Sequence, residues 1–340
     1  MLDDDQTSYS YSGSVDDTND QSDYPRSQLR LGSILPAAVS QQMMMSSMRR
    51  ENAALIAVMG STGSGKTTFI NKACDAGMEV GNNLESCTQT VQVSHAFKLG
   101  NRTVHLIDTP GFDDTNRSNA EILKEIALYL SESYRSDIRI CGVIYFHRIT
   151  DNRVSGTSKR NMKMFQELCG FNAMSNVIIV TNMWGNFADE KARREGEARE
   201  AQLGGMSIFL KQALDGGAKI FRHDNSTETA RNIISTLLRN EPVTLLIQKE
   251  MVDEKKSLTE SAAGSQLNHE LREQIKKHEE EMREVLSEIA AKHKDERYEK
   301  ELEEEARKLK ELLNKVHMEK EKMATDFEKM KKEYKDRGGC

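Results

Sequence analysis

Little in this chain suits an extracellular, membrane-spanning or nucleic-acid-binding protein. Its 5 cysteines in 340 residues (Cys74, Cys87, Cys141, Cys169 and Cys340) lie far apart, with no C-x-x-C pair among them. That pattern suits reduced thiols better than a disulfide framework. Proline is scarce at 4, tryptophan occurs once and aromatics make up 6%, which describes a helix-rich chain with one ordinary core. Positive charge is not in excess: the formal net charge is −6, so no basic field invites nucleic acid. No apolar run is long enough to span a bilayer. Asp3, Asp4 and Asp5 stand where a signal peptide needs basic and then apolar residues. The expectation is a soluble, cytoplasmic protein with no transmembrane segment, with room for about two domains.

Residues 1–50 are rich in Ser, Asp and Gln and lack apolar periodicity. Such a segment buries too little surface to offset its ordering entropy, so a disordered N-terminal arm is expected, with Met43-Met44-Met45 read as part of a flexible linker. Over 51–245 apolar strands alternate with amphipathic helices, the pattern of a three-layer α/β domain with a mostly parallel sheet. Two adjoining strands at Val91–Leu99 and Thr103–Ile107, joined by Gly100-Asn101, predict one antiparallel hairpin within it. From 246 to 337 the character changes to dense, nearly balanced charge with no proline. Leu302, Ala306, Leu309, Leu313, Val316, Met323, Phe327, Met330 and Tyr334 keep steps of four and three, with Lys320 at the one polar position. Leu271, Ile275, Met282, Val285 and Ile289 do the same upstream, out of phase by one across Lys292–Glu301. Sustained heptads predict a helical coiled-coil tail. A continuous helix over 267–334 would run roughly 100 Å at about 1.5 Å per residue; the alternative is a solvated single helix held by Glu–Lys pairs.

The most informative stretch is Gly60-Ser61-Thr62-Gly63-Ser64-Gly65-Lys66-Thr67, between the apolar run Ala53–Met59 and the helical segment that begins near Thr68. It fits the phosphate-loop pattern G-x-x-x-x-G-K-S/T in the strand-then-helix context the pattern needs. Glycines let successive amides turn inward onto phosphate oxygens, and the helix adds its positive end. Lys66 is expected on the β- and γ-phosphates and the Thr67 hydroxyl on Mg2+. The second diagnostic is Asp108-Thr109-Pro110-Gly111 at the end of the strand Val104–Ile107. Asp108 suits the same Mg2+, and Gly111 offers an amide to the γ-phosphate, a bond lost on hydrolysis.

The phosphate loop, Ser86-Cys87-Thr88-Gln89-Thr90, and Asp108-Thr109-Pro110-Gly111-Phe112-Asp113-Asp114-Thr115 together resemble the septin-related P-loop GTPases. These comprise septins, immune-associated (GIMAP-type) proteins and chloroplast-import Toc receptors; the layout with a helical tail also resembles fungal G-domain proteins. The resemblance covers 52–240 and is specific in its first half. It implies a Ras-like G domain binding GTP or GDP with Mg2+ through Thr67, Thr88 and Asp108, Thr88 being the switch threonine and a possible catalytic contributor. It also implies homo-oligomers through the G domain, the tail or both; the sequence names no other protein partner.

Two departures matter. Guanine-reading loops follow N/T-K-x-D, whereas Thr181-Asn182-Met183-Trp184 puts an indole where the acid belongs. Thr181, Asn182 and Trp184 are the candidate base contacts, with Asp224 or Asn225 after the last strand as substitutes for the acid; an ATP site remains the alternative. Phe112 stands where Ras-like enzymes carry the water-orienting Gln, so turnover is expected to be slow, or absent if the chain is a nucleotide-binding structural protein. His147 and His223 are the obvious histidines to suspect, with structural roles favoured. The C-terminal Cys340 is not in a prenylation box.

Overall fold

The computed structural model describes residues 44–49, 53–75, 78, 88, 90–114, 116–206, 210–291 and 296–336. Most of the expected arm, the residues flanking Thr88 and the C-terminal Cys340 lie outside these. The described residues all belong to one unit, Met43–Cys340.

A short helix α1 (44–49) leads to β1 (Ala54–Gly60), α2 (Lys66–Cys74), β2 (Gln92–Val93), β3 (Phe97–Leu99) and β4 (Arg102–Asp108). Then come α3 (Asn119–Arg135), β5 (Ile140–Arg148), α4 (Gly156–Cys169), β6 (Val177–Asn182), α5 (Glu190–Gly205), α6 (Gln212–Asp215), β7 (Lys219–Arg222) and α7 (Thr227–Leu237). The sheet order is β2-β4-β1-β5-β6-β7, with β3 also on β4. β1 pairs in parallel with β4 and β5, β5 with β6, and β6 with β7. Among the described strands, β2 and β3 are the ones that pair antiparallel, both on β4. They are the expected hairpin strand, broken where Ser94 Oγ accepts the Leu106 amide at 2.9 Å.

Alternation along β1 shows how the layers arise, because successive side chains of a strand point to opposite faces. Leu55, Ala57 and Met59 join the cluster beneath α3 and α4; Ala54, Ile56 and Val58 join the one beneath α2 and α7 with Phe69, Ile70 and Ile234. The three-layer α/β fold expected from the sequence is therefore present.

Two expectations are corrected. The linker before β1 is in part a helical turn: Met45 and Met48 are 3% and 2% exposed, inside the α3–α4 core, and Arg49 meets Asp137 at 3.3 Å. Methionines three apart form an apolar stripe that composition alone hides. The tail is not one continuous rod. A short helix α8 (Leu246–Gln248) and a π-helical turn lead into α9 (Ala262–Ala291) and α10 (Glu296–Asp336). Met323 on α10 shares a cleft with Leu258, which precedes α9, so α10 runs back along α9 as an antiparallel hairpin. Leu267, Leu271, Ile275, Val316 and Met323 belong to the same core cluster as α3 and α4. Of the heptad positions, Leu271, Ile275, Val316 and Met323 are buried within this one chain, against the α/β layers.

The junction is built by buried polar groups. Gln248 Nε2 donates to Leu130 O at 2.9 Å, Asn176 Nδ2 to Cys141 O and Glu241 O at 2.9 and 2.8 Å. The Glu250 carboxylate accepts the Ala262 amide at the start of α9. None of the described helices is long and apolar enough to cross a membrane, and none of the three described cysteines is in a disulfide.

Candidate functional site

The carboxyl ends of β1 and β4 lie side by side, with Val58 opposite Asp108. Chain leaving β1 turns through Gly60, Gly63 and Gly65 at φ of 140°, 72° and 94°, conformations that glycine adopts at little cost. α2 begins at Lys66, so the amides of Lys66, Thr67 and Thr68 fall in its first turn, where an α-helix supplies no carbonyl partner. A Cβ on Gly65 would lie 2.4 Å from Asn182 Nδ2, so that glycine also permits a close approach.

Thr67, Thr88 and Asp108 come together although they are far apart in sequence. Asp108 Oδ2 accepts from Thr67 Oγ1 at 2.7 Å and from Thr88 Oγ1 at 3.0 Å, and the two hydroxyls are 3.2 Å apart. Asp108 is fully buried and its Oδ1 has no hydrogen-bond partner. One carboxylate with two hydroxyls beside a phosphate loop fits Mg2+, which binds through one or two protein oxygens together with phosphates and waters. No group of three or more His, Cys, Asp or Glu able to hold a metal occurs among the described residues.

Lys66 Nζ donates to Gly60 O and Ser61 O at 3.2 and 3.0 Å. Burial lowers its pKa to about 8, against the pull of Asp108 and Asp114. Burial likewise raises Asp108, offset by Thr67, Lys66 and Thr88. Desolvation thus disfavours charge on both groups, and an anionic ligand with its cation would reverse both shifts.

The D-T-P-G loop is stitched to the phosphate loop. Thr62 N donates to Phe112 O at 2.9 Å, Phe112 N to Gly60 O at 3.2 Å, and Thr62 Oγ1 to Gly111 O at 3.1 Å. A Cβ on Gly111 would lie 2.5 Å from the Thr62 backbone. The Phe112 side chain is fully buried in the core, away from any role in orienting water. The next residue, Asp113, accepts from Asn161 of α4 at 2.6 Å, and its amide donates to Asn119 of α3.

Sequence reading missed Arg148. Its Nη1 lies 3.7 Å from where a Cβ on Gly63 would be, its Nε 3.2 Å from Asp151. The strand end that brings it there became visible only with the β1–β5 register, Gly60 opposite Phe146.

The base side is less complete. Asn182 Nδ2 donates to Ser64 O at 2.9 Å, tying the end of β6 to the phosphate loop. Thr181 faces elsewhere: its hydroxyl donates to Glu200 at 2.6 Å. Trp184 is 7% exposed, its indole N–H on Thr181 O at 3.2 Å and the Arg222 guanidinium 4.3 Å from its ring centroid. A stacking role on a base does not fit that packing. Asp224 is held at about pKa 2 by Ser226 and Thr229, and Ser226 caps α7. Asn225 lies exposed in a left-handed turn at φ 67°. His147 and His223 are buried, and burial lowers both to about 4, in keeping with structural roles.

A phosphate loop after the first strand of a mostly parallel sheet, beside an acid-headed D-x-x-G loop, defines a P-loop GTPase fold followed here by a helical region. Residues 55–183 match the protein family described as 50S ribosome-binding GTPase. No curated protein matches the chain in sequence. Among solved structures, Toc33 from Arabidopsis thaliana in complex with Mg2+ and GMPPNP is similar at 16% identity and TM-score 0.45, over 62% of this chain and 96% of that one. Its complex with GDP and Mg2+ aligns at 15% and 0.46, over 62% and 97%. A dimerization-deficient mutant of Toc33 aligns at 14% and 0.47, over 62% and 97%.

Proposed function

We propose that this chain is a GTP-binding switch of the septin-related type, a slow Mg2+-dependent GTPase whose helical hairpin responds to the nucleotide. The observation that carries the reading is the meeting of Thr67, Thr88 and Asp108 beside the phosphate loop. Amides from Gly63 to Thr68 and the Lys66 ammonium would hold the phosphates, and Thr67, Thr88 and Asp108 would hold the metal. When bound, Mg2+ neutralises charge on the β- and γ-phosphate oxygens.

Two links support a response in the hairpin. Glu319 of α10 accepts the Ala120 amide at the start of α3, at 3.2 Å, and Lys322 meets Glu121 at 3.3 Å. Across α4, Asn161 holds Asp113 while its neighbour Arg160 faces Glu270 of α9 at 4.0 Å. A shift of the D-T-P-G loop would therefore reach both hairpin helices within two contacts. Phe112 orients no water, so a second copy facing the nucleotide is expected to assist turnover, making the chain a homo-oligomer in its active form.

A second reading, nucleotide binding without turnover, draws on the burial of Phe112 and the Thr62 tether on Gly111. Phosphate release from concentrated protein, lost in Asp108→Asn, separates the two. Displacement of labelled GTP from the full chain tests the first step: GTP is expected to compete better than ATP, and stronger competition by ATP would remove the guanine reading.

A further inference from the structure

We infer that Gly185 occupies the base-reading position of this site, so that the 2-amino edge of a guanine goes unread and triphosphates of 6-oxopurines bind alike with or without that group. The inference rests on the nucleotide reading above and sharpens its specificity.

Two registers of N/T-K-x-D are open to Thr181-Asn182-Met183-Trp184-Gly185. Starting at Thr181, the acid position is Trp184; starting at Asn182, it is Gly185. The side chains decide between them. Asn182 reaches Ser64 O on the phosphate loop at 2.9 Å, whereas Thr181 Oγ1 turns to Glu200 and receives the Trp184 indole N–H at 3.1 Å. Asn182 is thus the member that faces the nucleotide side, and the acid position falls three residues later.

That position is accessible and bare. Gly185 is exposed, its φ is not positive, and a Cβ there would meet nothing within 4 Å. It lies in the short 3-10 turn Trp184–Asn186, after Met183 in the left-handed region. Thr181 pairs with Arg222, so the loops following β6 and β7 emerge together at the carboxyl edge, where ligands of open α/β sheets bind. The one carboxylate of the second loop, Asp224, accepts the Ser226 amide at 2.9 Å and the Thr229 hydroxyl at 2.6 Å through the same oxygen. It serves the turn that opens α7.

An acid at 185 would accept from N1–H and the 2-amino group of guanine; inosine offers only the first. A charge-assisted hydrogen bond of this kind is worth roughly tenfold to a hundredfold in affinity.

The test is competition against a fluorescent GTP analogue by GTP and by ITP, with Mg2+, on the full chain and on Gly185→Asp. The unaltered chain should bind GTP and ITP within about threefold of each other, and Gly185→Asp should favour GTP by about tenfold or more. Because the expected result is a gain, a variant that fails to fold cannot imitate it, and open space around the position permits the side chain. A tenfold preference for GTP in the unaltered chain, or an unchanged ratio in Gly185→Asp, would overturn the inference while leaving nucleotide binding intact. If neither nucleotide displaced the analogue from the unaltered chain, the nucleotide reading would fall and this one with it.

Discussion

The two ends of the proposed nucleotide site are built in different ways. At the phosphate end the proposed ligand contacts would be mostly main chain, drawn from Gly60 to Thr67 and the first turn of α2, with side chains contributed by Lys66, Thr67, Thr88 and Asp108. At the base end, main-chain geometry is set by β6 and β7, and recognition would depend on whichever side chains the next few residues carry. There, Trp184 has turned inward and Asp224 has become a turn-forming residue. A site read by backbone tolerates little change in its glycines; one read by side chains can lose its reader and keep its shape.

The comparison can be broken most sharply at Lys66. Lys66→Ala should weaken triphosphate binding by about a hundredfold or more, since it removes a buried charge-assisted contact; titration calorimetry that showed unchanged affinity would contradict the phosphate end as drawn. Next comes the floor between the two ends, where His147 is buried and its pKa lowered to about 4. Unfolded histidine binds its proton near pH 6.5, so between these values the unfolded chain binds more protons and stability falls with falling pH. The expected loss from His147 is about 2 kcal/mol between pH 7.5 and pH 5. His223, lowered for the same reason, acts with the same sign. Urea unfolding at the two pH values measures the sum, and a flat profile would contradict the burial.

Asn182→Ala probes the tether between the ends. It leaves Ser64 O without its side-chain donor, at about 1 to 2 kcal/mol, and should weaken GTP binding while sparing the fold; intact affinity would mean that the β6 loop is not coupled to the phosphate loop. The smallest effect is expected furthest from the nucleotide. Glu319→Gln removes charge from the start of α3 and should cost about 0.5 kcal/mol. Hydrogen exchange over α10 should then quicken, and an unchanged pattern would cut the hairpin out of the proposed response.

The difference between the two ends also explains what could be read from the chain unaided. Gly60-x-x-x-x-Gly65-Lys66-Thr67 and Asp108-x-x-Gly111 are local patterns, because backbone turns and strand ends are determined by neighbouring residues. Thr88 lacked such a pattern and rested on resemblance alone; only the fold showed its hydroxyl 3.0 Å from Asp108. Arg148 and Gly185 went unnoticed because their relevance depends on which strands lie together. The heptads of α9 and α10 were legible as seams, yet a seam specifies that it will be covered, not by what.

By itself, then, the amino-acid order determined the alternation of strands and helices, the glycine-rich turn after β1, the acid-headed D-x-x-G at the end of β4 and the apolar stripes of the tail, all consequences of local geometry and periodicity. Tertiary structure decided that the tail folds back onto α3 and α4, that Met45 and Met48 join the core, and that Asn182 rather than Thr181 meets the phosphate loop. Those outcomes depend on contacts between residues distant in the chain, where several partners of similar chemistry compete and only the packed arrangement selects one.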